Sequence, residues 1–439
     1  MAKGYRSYRP DQDLLLPPSL RDWLPENHLV YFVSDMVDQL DLTKIEAVYK
    51  KDPRGQPPYD PRLMTKLLVY GYCIGVFSSR KIRKRLEEDV PFRVLAAGNV
   101  PDFRTISDFR KIHLDAFSGL FEQVLAMALE AGAMKLGRVS LDGTKIKANA
   151  SKHKAMSYGR MKEKEQQLKA EVQQLLEQAA AADAAEDEHH GRGRRGDELP
   201  EELSRRESRL AKIKQAQKVL EQRARDKAAA EGKSAEEVKK SKPGDKDQYN
   251  FTDPESRIMM GADGIVQGFN AQAAVEPTMQ LIVGQQVTQA ANDKEQLAPM
   301  VEVIEQQSGQ RPAAILADNG YCSDRNLEFL ESAEEPENKI EAFIATGKLK
   351  HGEHRLPVKP GPLPQGATRL DRMKKKLQTK AGKAVYAARK YVVEPVFGQI
   401  KQARGFRQFA LRGLKKVQGE WALLCTTHNI LKFYRALQA

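Results

Sequence analysis

The middle of the chain constrains the fold most. From Ala155 to about Lys246 the composition turns to Ala, Glu, Lys, Gln and Arg with almost no aromatics. Within it Leu168, Val172 and Leu175, then Leu203, Leu210, Ile213 and Leu220, fall at coiled-coil-like spacing. The glycine-broken stretch "EDEHHGRGRRGDELP" separates the two sets. The segment therefore reads as two long helices folded back as an antiparallel hairpin; a partly disordered linker is the other reading of the same composition. Strand patterns lie on both sides of it, so any sheet has to be assembled across this insertion.

The chain before the insertion is helical in pattern. "DWLPENHLVYFVSDMVDQL" carries Leu29, Phe32, Val33, Met36, Val37 and Leu40 at helical spacing, with Asn27 as the expected cap. "YDPRLMTKLLVYGYCIGV" opens with Asp60 as cap and Pro61 at the first helical position. Ser78 and Ser79 precede "RKIRKRLEED", where Ile82 and Leu86 face inward and Arg80, Lys81, Arg83, Lys84 and Arg85 outward. After Gly98 and Pro101, "FRTISDFRKIHLDAFSGLFEQVLAMALEAG" reads as one more long helix. Helix, turn and helix with basic outer faces suits a DNA groove, and equally an ordinary bundle with a charged surface.

Past the insertion the period becomes that of strands. "SRIMMGADGIVQGFNAQAAVE" gives two strands about a "GADG" turn, and "QLIVGQQVTQ" a third. A helix in "NDKEQLAPMVEVIEQQSG" buries Leu297, Met300, Val301 and Ile304 and leads to "AAILADNGYCS", a strand ending at Asp318. "SDRNLEFLESAE" is a helix and "EAFIATG" a strand; Lys348 to Leu377, with Pro357, Pro360, Pro362 and Pro364, is loop-like; helix resumes from about Gly382 to Tyr434.

Charge is unevenly placed. The 439 residues carry a net +13, and the tail from Arg369 holds 17 Lys/Arg against Asp371, Glu394 and Glu420, so the rest is close to neutral. Such concentration suits a polyanion, nucleic acid first, or simply a solvated basic surface. Cys73, Cys322 and Cys425 stand far apart without CxxC spacing, which fits a reducing cytoplasm and argues against a zinc site or disulfide frame. His351 and His354 make only a loose pair without further ligands nearby. No signal pattern is present, and the longest apolar run, Leu63 to Phe77, is short and contains Lys66, so no membrane span is expected. Trp23 and Trp421, the two tryptophans, are expected in packing rather than on a flipped base.

"VSLDGTKIKANAS" brings Asp142 to the end of a strand, beside Lys145 and Lys147. Asp-Gly is first of all a turn dipeptide. The order strand, strand, strand, helix, strand, helix, strand is nevertheless that of an RNase H-like sheet. "LDGTKIKANAS", "ILADNGY" and "VEPVFGQIKQARGFRQF" resemble, in order, the three blocks of the DDE transposases of bacterial insertion sequences. "PPYDPRLMTKLLVYGYCIGVFSSRKIRKRLEEDVPFRVLAAGNVPDFRTISDFRKIH" resembles the InsH-type N-terminal domain on that branch. The resemblance spans nearly the whole chain.

It implies an α+β/α/β chain: an RNase H-like mixed-sheet catalytic core in residues 136–154 and 247–439, a helical N-terminal DNA-binding domain in 1–135, and a helical-hairpin insertion in 155–246. It implies that Asp142 and Asp318 lie side by side and that Glu394 completes a set of carboxylates for two Mg²⁺ ions about 4 Å apart, with Mn²⁺ as substitute. Lys145, Lys147, Lys390, Lys401, Arg404, Arg407, Arg80, Arg83, Lys84, Arg104 and Arg110 are the expected DNA contacts. Relatives carry a Tyr, Arg, Glu, Lys signature here; Lys390 takes the Arg position, with Tyr386 and Arg389 one residue out of register. Pro395 directs Glu394 to a helix start or kink. The expected activity is that of a cytoplasmic transposase that binds inverted repeats, cleaves them and joins the ends to target DNA, as a homodimer, away from membranes. A non-catalytic DNA-binding protein of the same fold and a scaffold built on the 155–246 helices are the alternatives.

Overall fold

A computed structural model describes residues 19–49, 57–190, 201–261, 264–331, 339–347, 361 and 363–438. The His351–His354 pair, most of the proline-containing loop after Gly347, residues 191–200 of the glycine-broken stretch and the middle of the "GADG" turn lie outside them.

Among the described residues a 3₁₀ turn (Leu20–Trp23) and seven α-helices come first: α1 (Leu29–Gln39), α2 (Thr43–Tyr49), α3 (Pro61–Cys73), α4 (Ser79–Glu88), α5 (Val90–Ala96), α6 (Phe103–Ile112) and α7 (Leu114–Glu130). Asp60 caps α3 as expected, its carboxylate accepting from Arg62 N at 2.6 Å, and Pro61 opens it. The cap of α1 is His28, one residue past Asn27: its Nδ1 accepts from Val30 N. The single long helix expected from Phe103 onward is two, bent by 71°. The bend falls at His113, whose ring is drawn aside to the Tyr49 hydroxyl at 2.9 Å. Among the described residues no single helix is long and apolar enough to cross a membrane.

The sheet contains β1 (Arg138–Lys147), β4 (Arg257–Gly261), β5 (Gly264–Val275), β6 (Ile282–Thr288), β7 (Ala314–Ala317) and β8 (Glu341–Ile344), in the order β4–β5–β1–β7–β8, with β6 also on β5. Pairs β1–β5, β4–β5 and β5–β6 are antiparallel, and β1–β7 and β7–β8 parallel, giving a mixed helix-and-sheet, α+β fold. The insertion leaves through β2 (Ala155–Ser157) and returns through β3 (Gln248–Asn250), which pair with each other and close its base. Between them α8 (Tyr158–His190) and α9 (Glu201–Ala230) pack together, and α10 (Ala235–Lys240) follows. Tyr158, Met161, Leu168, Ile213, Ala216 and Leu220 form a small core separate from the main one, and Leu210 packs on it.

The remaining helices are α11 (Leu297–Ser308), α12 (Asp324–Glu331), α13 (Arg369–Lys376), α14 (Lys380–Gly398) and α15 (Leu414–Gln438). The middle of α15 is buried almost all round, between α3 and α7 on one side and β6 on the other, so the N-terminal helices and the sheet share one core. Trp421 is wholly buried there, its indole N–H donating to Gln272 O at 3.1 Å, whereas Trp23 is exposed. Gly75 seats this junction: its φ is +80°, and a Cβ would stand 2.6 Å from Arg404 O, so only glycine fits.

Candidate active site

The site forms where two paired strands part. β1 and β7 run in parallel register from Arg138/Ala314 to Leu141/Ala317, and there β7 ends. Asp142, the next residue of β1, and Asp318, the first residue after β7, follow this register, which brings them side by side. β1 continues past its partner. Its freed edge is taken up by the segment after α14, where Lys401 Nζ donates to Lys145 O at 3.1 Å and Lys147 O accepts from Phe409 N at 2.9 Å. Asp142 therefore sits mid-strand rather than in a turn, where β1 passes from β7 to that segment. Gly143 keeps extended, paired backbone opposite Gln272.

Each aspartate is fixed locally. Asp142 Oδ1 accepts from Gly143 N at 2.8 Å. Asp318 caps a single 3₁₀ turn, Asn319–Tyr321, with Oδ1 accepting from Gly320 N at 2.7 Å. The cation that meets them is Arg389 of α14, whose guanidinium donates to Asp142 Oδ2 at 3.1 Å. Burial pushes the Asp142 carboxyl up to about 6; Arg389 opposes this and the Asp318 charge adds to it. Two adjacent carboxylates, one with ionisation made difficult, attract a compensating cation. Arg389 supplies one charge, and its Nε is buried without a hydrogen-bond partner.

Glu394 is not part of this arrangement. Pro395 does not start α14, which runs from Lys380 to Gly398 with Pro395 inside it. The ring removes the donor for Tyr391 O, and Gln280 Nε2 replaces it at 2.8 Å. A π-helical segment, Gln399–Ala403, follows. Five residues from Arg389, Glu394 lies about 140° round the helix. Its side chain is exposed.

A third carboxylate lies close by, and sequence reasoning missed it. Asp293, in the loop after β6, accepts from Asn270 Nδ2 at 2.6 Å, Gln272 Nε2 at 2.7 Å and Lys145 Nζ at 3.2 Å. Tyr321 lies beneath, fully buried, its hydroxyl donating to Gln272 Oε1. Burial, then the charges of Asp293, Asp142 and Asp318, drive the Tyr321 hydroxyl well above its usual range, so it stays a donor. The signal was Asn270 and Gln272: amides buried in the middle of a strand require a polar partner.

Among the described residues no three acidic, histidine or cysteine side chains converge closely enough to hold a metal ion. The Asp142–Asp318 pair fits a divalent cation as two oxygen donors; the third ligand expected from Glu394 is not delivered.

The cations expected to touch DNA divide by burial. Lys147, Lys390, Arg407, Arg80, Lys84 and Arg104 are exposed. Arg80 and Arg104 lie over the Phe103 ring at 5.0 and 5.6 Å. Arg83 and Lys84 pair with Glu87 and Glu88 one helical turn on. Lys401 is half-buried on the β1 edge, and Lys145 is bound to Asp293. Arg110 and Arg404 are corrections. Arg110 is 5% exposed and donates to the Tyr72 hydroxyl at 3.1 Å and Phe77 O at 2.8 Å. Arg404, 9% exposed, donates to Thr427 Oγ1 at 2.9 Å, and burial lowers it to about 10. Both join segments packed around α15 and present no charge to a ligand.

No curated protein and no solved structure matches the chain. Two family models do: a transposase domain (DUF772) over residues 18–112, which takes in α1 to α6, and a transposase DDE domain over residues 364–434, which takes in Arg389, Glu394 and most of α15. One precedes the sheet and the other packs its last helices against the carboxylate pair; in that order on one chain, the two segments are similar to a DDE transposase of an insertion sequence.

Proposed function

We propose that the chain binds the inverted repeats of its own element, cleaves the DNA there and transfers the freed 3′ end to target DNA, with Asp142 and Asp318 as the catalytic carboxylates. The observation that carries this is the register of β1 and β7, which brings two aspartates distant in sequence next to each other. The core is read as RNase H-like: β6, β5, β1, β7 and β8 lie in that spatial order, with β6–β5 and β5–β1 antiparallel and β1–β7 and β7–β8 parallel, as the resemblance implies.

Asp142 and Asp318 would hold Mg²⁺ or Mn²⁺, with Glu394 as third ligand on the resemblance alone. When bound, such ions activate the attacking oxygen and stabilise the leaving one. The chain's own residues do the rest. Gly143 N and Gly320 N orient the two carboxylates through backbone bonds. Arg389 neutralises Asp142 before a metal arrives. Exposed Lys147, Lys390 and Arg407 position the phosphates of the scissile strand, and Arg80, Lys84 and Arg104 contact the repeat. Two ends cut in concert call for a homodimer, acting in the bacterial cytoplasm on chromosomal DNA.

The test is cleavage of a plasmid carrying the DNA that flanks the coding sequence, in Mn²⁺ or Mg²⁺. Cleavage by wild type, absent in Asp142→Asn and Asp318→Asn with DNA binding intact, supports the assignment. Binding without cleavage by any of them favours the non-catalytic reading.

A further inference from the structure

We propose that Asp293 is a positioning residue for the carboxylate pair, acting by holding Lys145 away from it and by bracing β1 and β5; this rests on Asp142 and Asp318 being metal ligands. Neither matched family segment includes Asp293, and no sequence block of the resemblance contains it.

The geometry is a hub. Three donors from two strands converge on one carboxylate: Lys145 from β1, and Asn270 and Gln272 from β5. Asn270 is further tied through Nδ2 to Ala290 O at 3.1 Å, in the same loop as Asp293. Side chains alternate along β1, so Gly143 and Lys145 turn to the Asp293 side while Asp142 turns toward α14. Asp293 reaches this position over two glycines, each close to a catalytic aspartate. A Cβ on Gly143 would stand 2.6 Å from Asp293 Oδ1 and would collide with Gln272 Nε2. A Cβ on Gly320 would stand 2.9 Å from Asp318 Oδ1 and 3.7 Å from Asp293 Oδ2. The carboxylate thus lies against the backbone that carries both aspartates.

Charge gives the hub its effect. Asp142, Asp318 and Asp293 stand against Lys145 and Arg389, three formal negative charges against two positive. Removing the Asp293 charge leaves a 12%-exposed Lys145 ammonium without its counter-ion, on the side of β1 where Asp293 lies against the backbone that carries both aspartates. That ammonium then competes with a metal ion for the pair's field.

The experiment is direct Mn²⁺ binding, read from the electron paramagnetic resonance of free Mn²⁺, with thermal melting as a control of folding. Wild type, Asp318→Asn, Asp293→Asn, Asp293→Glu and Asp293→Asn/Lys145→Met are compared. Asp293→Asn is expected to weaken Mn²⁺ binding by about tenfold, the usual scale for residues that orient ligands. Asp293→Glu is expected to recover part of the loss, and the double variant most of it, because the stranded ammonium is gone. If Asp293→Asn is unfolded at the assay temperature, the double variant, which carries no stranded charge, decides the matter. Wild-type affinity in Asp293→Asn, or a double variant as weak as the single, overturns the proposal while Asp318→Asn still loses the ion. Equal binding by wild type and Asp318→Asn instead overturns the metal reading and this inference with it.

Discussion

Two carboxylates in this molecule, one part-buried and one wholly buried, each lie in the field of an arginine, and they differ in what surrounds them. Glu420 on α15 is wholly buried and closed: it accepts from the Tyr72 hydroxyl at 3.0 Å and from Ala410 N and Leu411 N at 3.0 and 3.1 Å, with Arg110 behind Tyr72. Asp142 is part-buried and open. Among the described residues it accepts from Gly143 N and Arg389 alone, and it stands beside a second carboxylate at the end of the parallel β1–β7 pairing. Burial raises the pKa of both. A satisfied network fixes one arrangement of the chain, here the seat of α3 and α6 on α15. An incompletely satisfied one keeps coordinating capacity for a ligand.

The largest effect that separates them is on catalysis. Asp142→Asn or Asp318→Asn is expected to reduce end cleavage by at least about 10³-fold, roughly 4 kcal/mol of barrier, without lowering the melting temperature. Glu420→Gln should do the reverse: it removes the negative charge that offsets buried Arg110 and lowers unfolding stability by about 3–5 kcal/mol, measured in urea, while cleavage persists wherever the protein is folded. Cleavage lost in Glu420→Gln below its melting temperature would erase the distinction.

The next effect is on pH. With its folded pKa raised from 3.8 to about 6, Asp142 favours the fold fully below the unfolded value, and that contribution is lost as pH rises through about 6. Asp142→Asn should therefore gain about 2 kcal/mol on wild type between about pH 4.5 and about pH 7, in paired urea titrations without added metal. A gap that shrinks over that range would mean the carboxyl is not strained by burial.

The smallest effects compare exposed with buried cations. Lys147→Ala and Arg407→Ala should each weaken DNA binding by less than about tenfold and lower the salt slope by about 1. Arg404→Ala should leave that slope unchanged and lower the melting temperature. An unchanged slope in Lys147→Ala would remove it from the DNA contact.

The sequence makes the open site legible in part. The short apolar runs before Asp142 and Asp318 give strands, the second of buried type, and the resemblance supplies their adjacency, which the runs alone do not contain. The mixed helix and sheet, the capped α3 and the apolar faces of α4 and α11 are also readable. Burial of charge is not. Arg110 stands four residues after Ile106, on the inner face of α6, yet composition counts it as surface. Pro395 suggests a break at Glu394 because local sterics disfavour helix there; a tertiary hydrogen bond from Gln280 to Tyr391 O lets the helix continue. Asp293 escapes because its partners, Lys145, Asn270 and Gln272, come from two strands separated by the whole insertion.

The most direct measurement is metal-dependent cleavage of a plasmid bearing the flanking DNA by wild type and Asp318→Asn, with binding of the same DNA measured in parallel. The account predicts cleavage by wild type alone and equal binding by both. Equal cleavage by the two proteins would contradict it, because the aspartate that the β1–β7 register sets beside Asp142 would then take no part in the chemistry.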